Sequence, residues 1–400
     1  MQLRSRARLL SIGVAALAAI PLTILGPAAA SDAASGSTHA TARSCATAAP
    51  GHAACAALVR TDIVATKTVA PNATPSGYGP SSLQSAYKLP SSTAGSGRTV
   101  AIVDAYDDPT AEADLAVYRS QFGLPACTTA NGCFKKIDQN GGTSYPAKDG
   151  GWGQEISLDI DMVSAVCPNC HILLVEAKSA SFADLGASVN RAAATSGVVA
   201  ISNSYGGSDA SDASYGSYYN HPGIAVTASS GDSGYGASYP ASSHYVTAVG
   251  GTTLSTASNT RGWTETAWSG AGSGCSAYNT ALTSASSFGT GCSKRAEADV
   301  SAVANPSTGV AVYDSTAYQG YVGWMVFGGT SVSSPIIASV YGLAGNTASI
   351  DNNYPYTHSG SLFDVTSGSN GSCSTSQWCT ARVGWDGPTG LGTPNGVGAF

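Results

Sequence analysis

The sequence predicts an α/β protein whose central sheet is doubly wound, mostly parallel and covered by helices on both faces. Two observations predict this class. Short apolar runs rich in β-branched residues indicate buried strands, and segments with helical patterning lie between several of them. Strands that alternate with helices favour a parallel sheet with both faces covered. The strand candidates are Thr99–Asp104, His171–Glu176, Val198–Ser202, Ile224–Ala228 and Tyr245–Val249, and the helix candidates are Thr110–Phe122, Gly153–Val166, Phe182–Ala193 and Ser333–Ala344.

The N-terminus predicts a secretory signal. Three arginines within the first eight residues precede an apolar run from Leu9 to Ile20, and Ala28–Ala30 supply a small-residue cleavage site after Ala30. The alternative is a membrane anchor, but Pro21 and the small residues shorten the apolar run. No later stretch reaches the roughly 18 uninterrupted apolar residues that a span needs. We therefore expect a secreted, extracellular protein with no membrane partner after signal removal.

Residues 31–77 are rich in Ala, Ser and Thr, which predicts a short and poorly ordered pro-segment or linker. From residue 78 to residue 400 there is no internal repeat and no interdomain linker, so this part is expected to be one domain. Within it, residues 251–320 are rich in Ser and Gly and are expected to be mainly loop.

Composition narrows the possible partners. Charged residues make up only 10% of the chain, against about 25% in a typical soluble domain. This excludes a basic nucleic-acid-binding surface, and a net charge of -6 is not a polyacidic tail. So few ionisable groups accumulate little charge at low pH, which is compatible with an acidic habitat.

The ten cysteines occur as near neighbours along the chain. An even number of cysteines in a secreted chain predicts disulfides, and although sequence cannot fix connectivity, local pairing is expected. The alternative at Cys167 and Cys170 is a zinc or redox site, which would lack a second ligand pair at metal-site spacing. The neighbouring pairs are Cys45/Cys55, Cys127/Cys133, Cys167/Cys170, Cys275/Cys292 and Cys373/Cys379.

The stretch from Phe327 to Pro335 predicts a strand, a Gly-Gly turn, a serine and then a helix. This layout puts the Ser331 hydroxyl at a helix N-terminus, where free backbone N–H groups can hold a developing anion. Pro335 is expected in the first helical turn, where its missing N–H costs little. The alternative is that Ser331 only caps the helix.

Two further stretches carry carboxylates. Glu155 and Asp159 are four residues apart on a predicted helix, so they share a face, whereas Asp161 points elsewhere. The alternative for this pair is a solvated acidic face. Asp232 follows the strand candidate at Ile224, and strand ends of a doubly wound sheet meet at one crevice, which would bring Asp232 near Ser331. Its alternative is a plain Asp-Ser-Gly turn.

These three stretches resemble, in order, the three signatures of the sedolisin (serine-carboxyl peptidase) family: Gln154-Glu155-x-x-x-Asp159, Ser230-Gly231-Asp232-Ser233-Gly234 and Gly329-Thr330-Ser331-x-Ser333-x-Pro335. The resemblance implies a subtilisin-like fold from about residue 78 to residue 400. It implies that Ser331 is the nucleophile, Glu155 the general base, Asp159 the partner that orients Glu155, and Asp232 the acid that stabilises the oxyanion. Asp104 lies on the strand where ordinary subtilases carry their triad Asp, and we expect it to be structural.

The chemistry of these residues agrees with those roles. A serine hydroxyl needs a base within hydrogen-bond reach, and the base needs a third group to hold it. Glu has a reference pKa of about 4.3, so it acts as a base in mildly acidic conditions or when its pKa is perturbed. Asp232 can stabilise an oxyanion only when protonated. The expected function is hydrolysis of protein or peptide substrates in acid by a monomeric enzyme.

The resemblance also implies a calcium loop near the C-terminus, because Asp364-Val365 and Gly384-Trp385-Asp386 resemble the family's metal-binding segments. Carboxylate and carbonyl oxygens are the ligands that Ca²⁺ requires. The alternative is a set of Gly/Asp turns without metal. The implied ligands are the side chains of Asp364 and Asp386 and the carbonyl oxygens of Val365, Arg382 and Gly384.

Two competing functions remain open at this point. An Asp-His-Ser subtilase using Asp104 would need a His at a Gly-rich helix start, which His171, His221 and His244 lack. A catalytically silent binding protein on a peptidase scaffold is the other alternative.

One feature departs from the family. Relatives usually carry a much longer pro-domain than residues 31–77, which puts the role of that segment in doubt. Internal cleavage and removal of N-terminal tripeptides are not distinguished.

Overall fold

The computed structural model describes residues 39–63, 65, 74–346 and 352–400. The chain divides into two units, Met1–Ser37 and Thr38–Phe400. The predicted signal peptide, residues 1–30, and the first part of the predicted pro-segment lie outside the described residues. Within the described ranges, no helix has both the length and the apolar character needed to cross a membrane.

The described part of the chain alternates strands and helices, as the sequence predicts. The strands are β1 Thr41–Arg43, β2 Ala54–Cys55, β3 Leu58–Arg60, β4 Thr99–Ala105, β5 Phe134–Asp138, β6 His171–Ala177, β7 Val198–Asn203, β8 Tyr205–Ser208, β9 Ala225–Ser229, β10 Ser238–Tyr239, β11 Thr247–Thr256, β12 Trp263–Ala267, β13 Gly274–Cys275, β14 Ala296–Glu297, β15 Val300–Val303, β16 Val310–Tyr318, β17 Tyr321–Gly328, β18 Leu362–Phe363 and β19 Thr393–Pro394. The helices are α1 Pro80–Ala86, α2 Ala111–Gln121, α3 Gly150–Val166, α4 Phe182–Ala193, α5 Asp212–Tyr215, α6 Thr330–Ala344 and α7 Tyr354–Thr357.

The central sheet has eight strands in the order β12-β11-β9-β7-β4-β6-β5, with β15 also paired to β11. All pairings in it are parallel except that of β12 with β11. The β4 sequence, VAIVDA after Thr99, is buried throughout, as expected for a strand covered on both faces. Helix α4 packs on β4 and β6, and α6 packs on β7 and β9. The predicted doubly wound, mostly parallel α/β fold is confirmed.

Helix α3 lies in the interior of the protein. Asp149 caps it, since its carboxylate accepts hydrogen bonds from the backbone N–H groups of Gly151 and Trp152 at 3.0 Å. Every residue from Gly151 to Val166 is buried, and α3 packs against α6 and β16. The carboxylates on this helix are therefore inside the protein, and the solvated acidic face considered for Glu155 and Asp159 is wrong.

Buried carboxyl groups also occur elsewhere in the fold. Asp104 on β4, Glu176 on β6 and Asp314 on β16 are each fully buried. Removal from water disfavours the charged form, and burial raises the pKa of each of these groups to about 8. Glu176 keeps one counter-charge, the Lys136 ammonium at 3.2 Å.

The expectation of mainly loop over residues 251–320 holds only in part, because several strands also lie there. Strand β11 continues to Thr256, and β12, β15 and β16 lie in this region. These strands contain small residues in place of β-branched ones, because neighbouring segments pack too closely against them for larger side chains. A Cβ on Gly250 would lie 2.2 Å from the Pro388 carbonyl oxygen, and one on Gly251 would lie 2.6 Å from the Ala304 Cβ. The packing of neighbouring segments thus removes the β-branched pattern that identifies a strand in sequence.

The expectation of poor order is wrong for residues 39–63. Strands β1 and β3 pair with each other, and β3 pairs with β17 in a four-stranded sheet of order β1-β3-β17-β16. Strand β2 pairs with β8. Val59 is fully buried and Ala57 nearly so. This segment obtains its order by adding strands to existing sheet edges, which its Ala-rich composition does not reveal.

The five cysteine pairs expected from proximity in sequence all form disulfides. Cys167 and Cys170 follow α3 directly and are joined to each other. This disulfide contradicts the alternative of a zinc site there, whereas the redox alternative is compatible with a disulfide. Among the described residues no cysteine is free.

Candidate active site

Ser331 lies in the first turn of α6, directly after the strand β17 and a Gly-Gly turn. Gly329 has φ 99°, a left-handed conformation that favours glycine. The Ser331 hydroxyl donates a hydrogen bond to Glu155 Oε2 at 2.8 Å and also lies 3.1 Å from the Ser204 carbonyl oxygen. Ser331 is fully buried. Gly329 occupies the capping position, so a role for Ser331 as a cap only is wrong.

Pro335 is not in the first turn, because α6 begins at Thr330 rather than Ser333. Its missing N–H leaves the Ser331 carbonyl without the usual partner four residues later. That carbonyl instead lies 3.4 Å from the Ser204 hydroxyl. Pro335 thus makes the Ser331 carbonyl oxygen available as an acceptor for the Ser204 hydroxyl.

Glu155 and Asp159 lie one turn apart on α3, and Glu155 contacts Ser331 at the start of α6. Asp159 accepts from the Ser204 hydroxyl, which is 2.8 Å from each carboxylate oxygen. Burial raises the pKa of Glu155 well above its ordinary value, and the charges of Asp159 and Asp104 raise it further, while the hydrogen bond from Ser331 lowers it. Burial and Asp104 also raise the pKa of Asp159. The two carboxyl groups therefore share a site that favours at least one proton.

Asp104 lies beside this pair, near the carboxyl end of β4. Both of its carboxylate oxygens are buried and have no hydrogen-bond partner among the described residues. Its main effect on the site is electrostatic, because its charge raises the pKa of both neighbouring carboxyl groups. The structural role expected for Asp104 stays a prediction, but its position is next to the chemistry.

Asp232 approaches the same helix terminus from the loop after β9. Its Oδ1 accepts hydrogen bonds from the Thr330 backbone N–H at 2.7 Å and from the Thr330 hydroxyl at 2.9 Å. Its Oδ2 is buried without a partner among the described residues. Burial raises the pKa of Asp232 to about 6, which the hydrogen bonds from Thr330 and the charge of Arg43 oppose. The alternative of a plain Asp-Ser-Gly turn leaves the contacts of Asp232 with Thr330 unexplained.

The structure thus brings together the four side chains that the sequence singled out. A hydroxyl is hydrogen-bonded to a carboxylate, and a second carboxyl group faces the free N–H groups of a helix N-terminus. Among the described residues, the hydrogen-bond partners of the Ser331 hydroxyl are Glu155 and the Ser204 carbonyl, and neither is a histidine. Sequence reasoning missed Ser204, which holds Asp159, and Thr330, which holds Asp232. The position of Ser204 directly after β7, at the carboxyl edge of the sheet, was a usable signal.

This fold and this site define a subtilisin-like α/β protein with a carboxylate beside its serine. The family description of the subtilases matches residues 141–357, a little over half of the chain. The chain belongs to the subtilase family, and within it to the sedolisins, the serine-carboxyl peptidases.

Individual relatives agree with this assignment. Kumamolisin from Bacillus sp. (strain MN-32) is 29% identical over 371 residues, which are 82% of this chain and 63% of kumamolisin. The chain therefore spans less than two thirds of the length of that relative. Among solved structures, Pseudomonas sedolisin, a serine-carboxyl proteinase complexed with pseudo-iodotyrostatin, has a TM-score of 0.66 at 25% identity, covering 81% of this chain and 96% of the other. Fervidolysin from Fervidobacterium pennivorans, a keratinolytic enzyme related to subtilisin, shares the fold at a TM-score of 0.50 and 16% identity, covering 79% of this chain and 44% of its own.

The residues expected to bind calcium lie near one another in the C-terminal segment. Asp364 Oδ2 accepts from the Gly384 backbone N–H at 2.9 Å, and Asp386 Oδ2 accepts from the Arg382 backbone N–H at 3.0 Å. Val365 is buried beside Asp364. Burial raises the pKa of Asp386 to about 7, and the charge of Asp364 contributes to that rise.

The oxygen atoms available in this segment are of the types that bind Ca²⁺. Two carboxylates whose charges repel each other lie on glycine-containing segments, and Ca²⁺ takes 6–8 oxygen ligands that include carboxylates and backbone carbonyls. In the described part of the chain no three His, Cys, Asp or Glu side chains form a metal-binding group. Backbone oxygens, such as those of Val365, Arg382 and Gly384, would therefore have to complete the coordination shell.

Proposed function

We propose that this chain is a secreted, acid-acting serine-carboxyl peptidase that hydrolyses peptide bonds in protein or peptide substrates. The observation that supports the proposal most is the 2.8 Å hydrogen bond from the Ser331 hydroxyl to Glu155, at a helix N-terminus that Asp232 also faces. Residues 1–30 would be the signal peptide, residues 31–77 a pro-segment, and residues 78–400 the peptidase domain. The enzyme would act as a monomer without nucleic-acid or membrane partners.

In the first half of the reaction, Ser331 Oγ attacks the substrate carbonyl carbon while Glu155 takes the hydroxyl proton. Negative charge then develops on the substrate carbonyl oxygen. The Ser331 backbone N–H and the protonated Asp232 carboxyl group would donate hydrogen bonds to it. Asp159, held by Ser204, keeps the Glu155 carboxylate in position.

In the second half, Glu155 returns its proton to the leaving amine, which leaves an ester on Ser331. Water then attacks the ester carbonyl, with Glu155 accepting the water proton, and the Ser331 hydroxyl is restored as the carboxylic acid product departs. The raised pKa of Glu155 makes it a stronger base than an ordinary glutamate. Glu155 must still be ionised when attack begins. Because the charge of Asp159 raises the pKa of Glu155, the two carboxyl groups titrate as a group.

A digest of a denatured protein at a series of pH values, analysed by mass spectrometry, tests this function directly. Internal fragments would show an endopeptidase, and loss of N-terminal tripeptides alone would show a tripeptidyl peptidase. The alternative is a catalytically silent binding protein, which the burial of Ser331 would suit. Failure of any preparation to cleave a substrate or to react with a serine-directed reagent would favour that alternative.

Asp232→Asn should move the alkaline limb of the pH–rate profile upward. Wild-type activity falls as Asp232 ionises near its pKa of about 6, because the carboxyl group loses its donor and adds a repelling charge; one such donor is worth about 10²–10³ in kcat. The amide of Asn donates at every pH. The measurement is kcat/KM against pH for both proteins.

Asp314→Asn is the control for this profile. Asp314 is another buried aspartate, and its pKa is raised to about 8. Its carboxylate accepts a hydrogen bond from the Thr316 backbone N–H, but Asp314 is not part of the site. Its variant should keep the wild-type alkaline limb. A wild-type maximum above about pH 8, well past the reference carboxyl values, or an unmoved limb in Asp232→Asn, would contradict the role of Asp232.

Calcium should stabilise the folded chain, by about 2.7 kcal/mol at a hundredfold excess over its dissociation constant. We expect chelation to lower the melting temperature of the wild type and to have little effect on Asp386→Asn. Asp138→Asn is the control, since Asp138 also accepts from loop backbone N–H groups but lies outside the C-terminal segment. An unchanged melting temperature, together with no calcium in metal analysis beforehand, would remove the site.

A further inference from the structure

A cavity lies at the edge of the central sheet that is opposite the candidate active site. Asp104 and Asp232 stand at the carboxyl ends of β4 and β9, whereas this cavity opens at the amino ends of β9 and β11. Its volume is about 330 Å³, and His221 and His244 are both part of its lining. Nothing in the proposed reaction uses either histidine. We call this space the histidine cavity.

The strand pairing brings the two histidines to the same place. Strands β9 and β11 are parallel neighbours, with Thr227 opposite Thr247, and adjacent strands lie about 4.8 Å apart. His244 comes three residues before Thr247, and His221 comes six residues before Thr227. Both imidazoles therefore belong to segments that enter neighbouring strands from the same edge, which agrees with their shared cavity.

A backbone carbonyl fixes each histidine in one tautomer. His221 Nε2 lies 2.9 Å from the Tyr218 carbonyl oxygen, and His244 Nδ1 lies 3.0 Å from the Thr280 carbonyl oxygen. A carbonyl can only accept, so the ring nitrogen that faces it carries the proton. In the neutral rings the lone pairs are then on His221 Nδ1 and His244 Nε2, and neither atom has a hydrogen-bond partner among the described residues.

Metal-binding histidines have this arrangement. A ligating imidazole almost always donates its other N–H to a backbone carbonyl, a carboxylate or water, which orients the ring and makes the ligating nitrogen more basic. Burial lowers the pKa of His221, which favours the neutral form that a metal requires. The two rings thus supply two metal-binding nitrogens to one cavity.

Further hydrogen bonds hold His244 in position. Its backbone N–H donates to Asp212 Oδ2 at 2.8 Å, and its carbonyl accepts from the side chain of Asn352. The same Asn352 Nδ2 donates to the Val246 carbonyl at 3.2 Å, so Asn352 Oδ1 remains available as an oxygen ligand. Residues that are already fixed lose little conformational entropy when they bind a ligand.

The charges around the cavity select the class of metal. The Arg295 guanidinium donates to two backbone carbonyls on either side of His244, but its charge is paired with that of Asp299. Asp212 adds a negative charge next to His244. The described lining of the cavity contains no Cys, Asp or Glu. Ca²⁺ therefore finds no carboxylate ligand here, whereas imidazole nitrogens suit Zn²⁺, Cu²⁺ and Ni²⁺.

We propose that the histidine cavity is a binding site for a divalent transition-metal ion such as Zn²⁺, with His221 Nδ1 and His244 Nε2 as its nitrogen ligands. Asn352 Oδ1 and water complete a four-coordinate shell. The ion joins the segment before β9 to the segment before β11, at the edge of the sheet far from Ser331. The site is separate from the predicted calcium loop, whose ligands are all oxygens.

Calorimetric titration with Zn²⁺ tests the proposal on the full chain, in excess Ca²⁺ and without a histidine tag, at about pH 7.5, where both imidazoles are neutral. We expect one Zn²⁺ per chain and a higher melting temperature with the ion bound. His221→Asn and His244→Asn should each weaken binding about a hundredfold. His171→Asn is the control, because His171 is exposed at the same edge of the sheet, at the start of β6. Its affinity should equal that of the wild type.

Acid should release the ion, because a ligating imidazole must be deprotonated. Both rings have a reference pKa of about 6.5, so at about pH 5 the apparent affinity should fall by more than about a hundredfold. An affinity for Zn²⁺ that is the same at these two pH values would mean that the imidazoles do not hold the ion.

A measurement on the wild type covers the case of a variant that does not fold. Diethyl pyrocarbonate modifies unprotonated imidazole nitrogens, and mass spectrometry of peptides locates the modified histidines. Zn²⁺ should protect His221 and His244 and leave His52 and His171 as reactive as before. Equal labelling with and without Zn²⁺, no Zn²⁺ binding by the wild type, or binding that survives both single variants would overturn the inference. The peptidase function would still stand, because the site contains none of its residues.

Discussion

Replacing Ser331 with Ala should lower kcat by about 10⁶-fold, as loss of the nucleophile does in a serine peptidase. The acyl-enzyme cannot form without the hydroxyl, and residual rate can come only from binding and the oxyanion donors. The fold should persist, because the variant loses one buried hydrogen bond, to Glu155, at a cost of about 1–3 kcal/mol. The measurement is peptide turnover by purified protein at acidic pH, with circular dichroism as the check on folding.

Ser333→Ala is the matched control for this change. Ser333 lies on the same helix two residues later, and its hydroxyl donates to the Thr330 carbonyl at 2.9 Å. Its loss removes a local hydrogen bond without touching the predicted chemistry, so kcat should stay within about tenfold of wild type. Substantial turnover by pure Ser331→Ala would mean that another residue is the nucleophile.

Glu155→Gln should be nearly as damaging, with a loss approaching 10⁶-fold in kcat. The amide has almost the shape of the carboxyl group and can still accept the hydrogen bond from Ser331, but it cannot take the proton. The loss should therefore persist at every pH instead of shifting the profile. The measurement is kcat across the acidic range, compared with wild type.

Asp161→Asn distinguishes loss of the base from general damage to α3. Asp161 is buried on the same helix, and its carboxylate accepts from the Tyr313 backbone N–H at 3.0 Å. Burial raises the pKa of Asp161, so in acid its neutral form is already close to Asn in character. Activity of this variant should remain. Recovery of wild-type activity by Glu155→Gln at any pH would contradict its role as the base.

The sequence predicted the parts of the fold whose patterns are local. Strands β4, β6 and β7 are β-branched runs buried on both faces, and the predicted helix Phe182–Ala193 matches α4 at both ends. Strand β5 was missed because Lys135 and Lys136 interrupt its apolar run. The start of α6 was placed three residues late, because the glycine cap and Thr330 carry no apolar periodicity.

The site was predictable in its residues but not in its surroundings. Glu155, Asp232 and Ser331 stand in short recognisable stretches, and the geometry that joins them follows from the sheet. Ser204 acts through a contact with Asp159, 45 positions away in sequence, and residues 44–57 contact residues more than a hundred positions away. Nothing local marks an Ala-rich segment as one that adds strands to sheet edges, since backbone pairing depends little on side chains.

The buried carboxyl groups of this fold have a consequence for where the protein can exist folded at all. Asp104, Glu176 and Asp314 ionise near pH 4 in an unfolded chain and near pH 8 in the folded protein. Between these values the folded state binds more protons than the unfolded one, so folding takes protons up from the solution and its free energy becomes less favourable as pH rises. Urea denaturation midpoints should fall from pH 4 to pH 8, and a rise would contradict this. Protons therefore act as a ligand that stabilises the folded protein, and the protein loses stability when the pH rises to neutral.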